Sequence, residues 1–123
     1  MYLVGAEHPN RQRAKRAIEG AVAKEERLVT SVEVLQEILH RYVAIDRRKA
    51  IEPAFQTLLG LVDEVLDLSL ENLLRAKSIS LETDGLSARD ALHIAVMERA
   101  SIGRILSFDR GFDAWTDIER IAP

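Results

Sequence analysis

The chain has 123 residues, 47% hydrophobic and 30% charged, which is the composition of one globular domain large enough to bury a core. Its 17 basic and 20 acidic residues give a net charge of −3, so it does not bind nucleic acid through bulk positive charge. Disulfides, thiolate metal sites and a cysteine nucleophile are excluded, because there is no cysteine. No apolar stretch is long enough for a signal peptide or a membrane span, and we expect a cytoplasmic protein with no membrane partner.

The first half of the chain predicts helices separated by short strands. Alanines and Ile18 at helical spacing predict a first helix over residues 9–25. The segment "RLVTS" (27–31) predicts a strand, and Thr30 with Glu33 has the spacing of a capping box at the start of the next helix. Pro53 then suits the first turn of a third helix.

The second half continues the alternation. The segment "EVLDL" (64–68) predicts a strand, and Ser69 can cap the helix after it. Ser87 can cap a later helix whose residues 91–97 are apolar almost all round, which is typical of a buried central helix. The strand "RILSF" (104–108) follows at once. This alternation of helices and strands predicts a mainly parallel α/β sheet, in which ligands bind at the carboxyl ends of the strands.

Four carboxylates fall where such a sheet would place a site. Glu37 lies in the helix after the strand 27–31, and Asp90 lies in the first turn of the buried helix. Asp109 ends the last predicted strand, and Asp113 follows four residues later. Clustered carboxylates repel one another unless a cation lies between them, and hard divalent ions prefer oxygen ligands. The pattern therefore favours a Mg²⁺ or Mn²⁺ site, whose ion would polarise a phosphodiester and lower the pKa of an attacking water.

Each of these acids also has a structural interpretation. Asp90 has capping-box spacing and a favourable place in the helix dipole. Glu37 flanks an apolar stripe, where a solvated glutamate is common. Asp109 and Asp113 can cap a turn around Gly111.

Other polar side chains carry less specific signals. No histidine pair has the spacing of a metal motif, and His93 is interpreted as a hydrogen-bonded core residue. The cations Arg41, Arg47 and Arg48 are either solvated helix faces or a surface that steers RNA toward the acids.

In the order "TSVEVLQE", "SARDALHIA" and "LSFDRGFD", the sequence resembles a PIN-domain ribonuclease of the VapC toxin type along nearly its whole length. The resemblance implies one three-layer α/β/α domain over residues 1–123 with a short, mainly parallel sheet. It places Glu37, Asp90 and Asp109 at the second, third and fourth acidic positions, where they would hold Mg²⁺ or Mn²⁺. Asp113 would be an accessory carboxylate. The resemblance further implies an RNA substrate, a cognate antitoxin that silences the toxin, and a homodimer.

The start of the chain departs from this pattern. The family opens with a strand ending in an aspartate, whereas "YLVGAEHPN" resembles the segment that follows that strand. We therefore expect the central strand and the first acidic ligand to be absent, which would make the domain incomplete at its N-terminus. The alternative function is then a catalytically impaired PIN-like module that binds an antitoxin or self-associates. A helical DNA-binding regulator is a weaker alternative, because the net charge is negative.

Overall fold

A computed structural model describes residues 1–4 and 11–122, which form a parallel sheet of five short strands. The strands lie in the order β3-β2-β1-β4-β5, and every neighbouring pair is parallel. Their bounds are β1 Tyr2–Leu3, β2 Val29–Ser31, β3 Glu64–Leu66, β4 Arg104–Leu106 and β5 Glu119–Ile121. Parallel neighbours need crossover connections, which the helices provide.

Five α-helices in the described ranges connect these strands: α1 Arg11–Ala23, α2 Val32–Ala44, α3 Ile51–Leu61, α4 Leu70–Glu82 and α5 Ala88–Arg99. Two 3₁₀ turns, at Arg48–Ala50 and Arg110–Ala114, complete the order. The predicted three-layer α/β/α architecture is confirmed. Within the described part of the chain, no helix is long and apolar enough to cross a membrane.

The expectation that the central strand of the sheet is absent was wrong. The central strand is present: Tyr2 and Leu3 form β1, and β1 pairs with both β2 and β4. The apolar start of the chain is buried, and pairing on both sides satisfies backbone groups that would otherwise be costly to bury. Val4 follows β1, and residues 5–10, which include Glu7, lie outside the described ranges. The expected lack of a first acidic ligand therefore stays a prediction.

Two of the three predicted helix caps are confirmed. Ser69 accepts a hydrogen bond from the Asn72 N–H at 3.2 Å, and Ser87 accepts one from the Asp90 N–H at 3.1 Å. Both serines therefore cap the predicted helices.

The cap of α2 differs from the prediction. Ser31, and not Thr30, is the capping residue, and its Oγ accepts from the Val34 N–H at 3.4 Å. The Thr30 hydroxyl instead donates to the Leu3 carbonyl at 2.8 Å, because Thr30 is still part of β2 beside β1. The Thr30 hydroxyl therefore bonds to the neighbouring strand and not, as the capping-box spacing had predicted, to the start of α2.

Helix α5 forms the middle of the core, as its sequence predicts. All eight residues from 90 to 97 are buried, and Ile94 and Met97 have no exposed surface. A helix that is buried on every side holds its backbone rigidly, so the polar residues on α5 have fixed positions. Asp90 and His93 are those buried polar residues.

Candidate active site

Two carboxylates meet at the carboxyl end of β4. Asp90 comes from the first turn of α5, and Asp109 follows β4. Both carboxylates lie close to Gly111. A Cβ atom added to this glycine would be 2.9 Å from Asp90 Oδ2 and 3.0 Å from Asp109 Oδ1. Asp90 is buried, and this burial, followed by repulsion from Asp109, raises the pKa of Asp90 to about 6. The pair therefore favours a proton or a cation at this point.

Local hydrogen bonds explain how the two carboxylates are placed. The Asp90 N–H donates to Ser87 at the start of α5, and the Asp109 N–H donates to the Ser107 hydroxyl at 3.0 Å. Asp109 Oδ1 accepts from the Gly111 N–H at 2.8 Å, so this aspartate caps a turn, as its structural interpretation predicted. One capping bond leaves most of the acceptor capacity of a carboxylate open. The structural and chemical roles are therefore compatible.

Glu37 reaches α5 at a different residue. Its Oε1 lies 2.7 Å from His93 Nε2, and His93 is three residues after Asp90 on the same helix. His93 Nδ1 lies 2.5 Å from the Tyr2 hydroxyl, which is 2.7 Å from Ser31 Oγ. His93 is therefore a core residue with both ring nitrogens hydrogen-bonded, as predicted, but one of its partners is a candidate site residue.

The structure brings together two of the three predicted metal ligands. In residues 1–4 and 11–122, no three histidine or acidic side chains converge closely enough to hold a metal ion. Asp90 and Asp109 are paired, whereas Glu37 contacts His93. Two carboxylates fit Mg²⁺, which usually binds one or two carboxylates and completes its octahedron with waters and substrate phosphates. The assignment of all three residues as ligands stays a prediction.

Asp113 lies in the same loop but contacts a different partner. Its two oxygens accept from Arg120 on β5, at 2.9 Å from Nε and 3.2 Å from Nη2. This bidentate contact lowers the pKa of Asp113, and the carboxylate is largely exposed. Arg120 also donates to the Ser107 carbonyl at 3.2 Å. Asp113 thus fastens the loop to β5, and the structure does not bring it to the Asp90–Asp109 pair.

Glu33 is an acid near the site that the sequence interpretation missed as a site residue. Burial, followed by repulsion from Glu37, raises the pKa of Glu33, while His93 and Arg89 act in the opposite direction. Glu33 and Glu37 are four residues apart on α2, so they share one face of the helix. That spacing was visible in the sequence, but Glu33 was interpreted only as a capping residue. Helix α2 therefore directs two acids toward the start of α5.

Comparison with known families identifies the family of this chain. The family model described as the PIN domain matches residues 1–117. The chain therefore belongs to the PIN-domain family.

Relatives narrow the group within that family. Ribonuclease VapC13 of Mycobacterium tuberculosis and VapC ribonuclease Mb1869c of Mycobacterium bovis are each 56% identical over 122 residues, covering 99% of this chain and 93% of theirs. Ribonuclease VapC23 of Mycobacterium tuberculosis is 36% identical over 109 residues, covering 89% of this chain and 86% of its own. These identities over nearly the full length place the chain in the VapC group of PIN domains.

Solved structures support the fold. The sarcin-ricin-loop-cleaving toxin VapC20 of Mycobacterium tuberculosis aligns with a TM-score of 0.73 at 22% identity, covering 92% of each chain. VapBC2 of Rickettsia felis, bound to a DNA fragment from its promoter, also aligns with a TM-score of 0.73, at 14% identity, covering 98% of this chain and 96% of that one. At these identities the likeness concerns the fold alone, and it agrees with the fold class predicted from sequence.

Proposed function

We propose that this protein is a divalent-metal-dependent ribonuclease and the toxin of a toxin–antitoxin pair. The observation that carries the proposal is the close contact of Asp90 and Asp109, two like charges held together at a strand end. Such a pair is unfavourable unless a cation or proton is bound there. Membership of the VapC group, whose members above are named ribonucleases, supports RNA as the substrate.

Each acid has a distinct proposed role. Asp90 and Asp109 would hold Mg²⁺ or Mn²⁺, and the bound ion supplies charge that polarises a phosphodiester and lowers the pKa of a water. Glu37 would complete the metal's ligands or position the attacking water, with its carboxylate oriented by His93. Asp113 is proposed as an accessory residue that acts through Arg120, because that ion pair fixes the loop carrying Asp109.

The alternative is a catalytically impaired PIN-like module that keeps its partners without cleaving RNA. It is favoured by one observation, that no third acid joins the Asp90–Asp109 pair in the described ranges. Both hypotheses give the same fold and the same partners. They differ only in whether the folded protein turns over RNA.

Cleavage of a fluorescent RNA in Mn²⁺ or Mg²⁺ separates the two hypotheses. We expect the folded parent to cleave, and Asp109→Asn to lower the rate by about 100-fold, because it removes a charged metal ligand. Asp117→Asn, at an exposed aspartate with no proposed role in the site, is the matched control, and we expect it to stay within a few-fold of the parent. A folded parent that is inactive with either ion would support the impaired module.

An apolar cavity beside the site suits a peptide segment of the antitoxin. It has a volume of about 710 Å³ and is lined by α1, α2 and α3. Ser107 and Phe108, which directly precede Asp109, form part of its wall. We propose that a segment of the cognate antitoxin docks there and covers the acidic pair. The proposed RNA substrate and protein antitoxin support a cytoplasmic location for this encounter.

A row of leucines on α4 supports the proposed homodimer. Leu70, Leu74 and Leu81 are 69%, 48% and 80% exposed, and their spacing puts them on one face of the helix. Exposed apolar rows of this kind commonly mark interaction surfaces. Leu59 and Leu61 on α3 are exposed apolar residues as well.

Analytical ultracentrifugation should therefore give a dimer at micromolar concentration. We expect the double variant Leu70→Ser/Leu81→Ser to shift the protein to monomer, because it removes apolar surface from the interface. Val22→Ser, an exposed apolar residue on α1, is the control and should leave the dimer unchanged. A parent that sediments as a monomer would contradict the proposal.

A further inference from the structure

We infer that His93 is a positioning residue for Glu37, and that a buried chain of hydrogen bonds through Tyr2 and Ser31 fixes the ring nitrogen that carries its proton. The inference deepens the proposed nuclease function and rests on it for the role of Glu37. The geometric part, the protonation pattern of His93, can be tested without any activity.

This chain of hydrogen bonds connects four elements of the fold. Ser31 ends β2, Tyr2 lies in the central strand β1, His93 lies on the buried helix α5, and Glu37 lies on α2. The successive distances are 2.7 Å from Ser31 Oγ to Tyr2 Oη, 2.5 Å from Tyr2 Oη to His93 Nδ1, and 2.7 Å from His93 Nε2 to Glu37 Oε1. All three distances are those of hydrogen bonds.

The donor and the acceptor of each hydrogen bond can be assigned by starting from Glu37, the last residue of the series. A carboxylate oxygen accepts hydrogen bonds, so the 2.7 Å contact with Glu37 Oε1 is assigned a hydrogen on His93 Nε2. In a neutral imidazole, Nδ1 is then an acceptor, and the Tyr2 hydroxyl donates to it. The Tyr2 oxygen in turn accepts from the Ser31 hydroxyl, whose oxygen accepts from the Val34 N–H. Every group in the chain is then satisfied.

Any other pattern leaves a buried group without a partner. A hydrogen on Nδ1 would make the Tyr2 oxygen an acceptor, so Tyr2 would have to donate to Ser31 Oγ instead. The Ser31 hydroxyl hydrogen would then lose its acceptor, and Ser31 has no exposed surface. Burial also raises the pKa of Tyr2, which keeps its hydroxyl protonated as a donor. An unsatisfied buried donor is costly, so the chain selects the Nε2–H form of His93.

The consequence for the site is a fixed direction for Glu37. Its side chain is partly exposed, and a glutamate in that setting would otherwise sample several rotamers. A hydrogen bond from a ring that is 2% exposed removes that freedom. Outer partners of this kind orient site carboxylates, and their loss typically costs about 10- to 100-fold in affinity or activity.

Nitrogen-15 NMR of the metal-free protein tests the protonation pattern directly. We expect His93 to show a protonated Nε2 and a bare Nδ1, and we expect Tyr2→Phe to weaken that preference, because it removes the donor to Nδ1. His40, an exposed histidine on α2, is the internal reference and should keep its pattern in both proteins. A hydrogen found on Nδ1 in the parent would overturn the inference, whether or not the protein cleaves RNA.

Two substitutions at position 93 test the effect on Glu37. The amide nitrogen of glutamine lies near the position of Nε2, whereas that of asparagine lies near Nδ1. We expect His93→Asn to lower kcat for RNA cleavage by about 10- to 100-fold with KM for RNA unchanged, and His93→Gln to recover most of that loss. His40→Gln should leave kcat unchanged.

Different results would contradict the role of His93 and the nuclease proposal. If both His93 variants melt at similar temperatures and lose kcat equally, the donor to Glu37 is irrelevant and the inference is wrong. If the parent cleaves no RNA, the nuclease proposal fails, and the NMR pattern alone decides whether His93 orients Glu37.

Discussion

Asp90→Asn should make the metal-free protein more stable and at the same time remove its stabilisation by Mn²⁺. The pKa of Asp90 is raised from 3.8 to about 6, first by burial and then by Asp109. A carboxyl with a raised pKa in the folded state favours folding while it is protonated, and this contribution is lost as the pH rises from about 4 through 6. At pH 7.5 the ionised pair therefore destabilises the protein, by an amount on the order of 2 kcal/mol once the full shift is discounted for screening by solvent.

Asparagine removes that penalty and keeps a hydrogen bond. It is neutral, nearly isosteric with aspartate, and its amide can donate to the Asp109 carboxylate in place of the shared proton. We expect urea unfolding with EDTA at pH 7.5 to show a gain of about 1–2 kcal/mol over the parent, shrinking toward zero near pH 4.5. With Mn²⁺ present, the parent should gain stability and the variant should not, because binding to the folded state alone stabilises it.

Asp113→Asn provides the contrast in the same loop. Its ion pair with Arg120 is exposed, so we expect a small loss of stability and an unchanged response to Mn²⁺. An Asp90→Asn protein that is no more stable than the parent at pH 7.5 would show that the acidic pair is not held under repulsion. The case for a cation between Asp90 and Asp109 would then fail.

The parts of the fold that sequence predicted are those specified locally. Ser69 and Ser87 cap their helices through bonds to residues three positions on, so their role is visible within one turn. The apolar run on α5 is also local, and it specified a helix buried on all sides. Asp90 and Asp109 could be brought together in prediction, because a helix that leads into a parallel strand begins near the edge of the sheet where that strand ends.

The parts that sequence missed depend on pairs distant along the chain. Strand β5 has three residues, two of them charged, which gives no periodic signal, so the Arg120 partner of Asp113 was not expected. Glu37 and His93 are 56 residues apart, and nothing local indicates that they meet. The family pattern predicted that the central strand is absent, whereas Tyr2 and Leu3 form it as β1. Burial of these two side chains favours the strand.

Phe112→Ala should produce the largest loss of stability among these changes. Phe112 is 2% exposed and lies in the 3₁₀ turn between Asp109 and Asp113. Its ring centroid is 6.4 Å from that of His93, so it packs the loop onto α5 beside the acidic pair. Truncating a buried phenylalanine to alanine typically costs about 3–5 kcal/mol, a large share of the 5–15 kcal/mol that stabilises a domain.

The same truncation should weaken the site, because Asp109 belongs to the loop that Phe112 anchors. We expect a fall of 10 °C or more in melting temperature, by roughly 3–5 kcal/mol of lost stability, together with weaker binding of Mn²⁺ by calorimetry at a temperature where the variant is still folded. Phe112→Leu is the matched control, which keeps most of the apolar volume and should cost less than about 1.5 kcal/mol. If Phe112→Ala binds Mn²⁺ as tightly as the parent while losing stability, Asp109 is held by its own cap and by the Asp113–Arg120 pair. The position of the acidic pair would then be independent of the core beneath it.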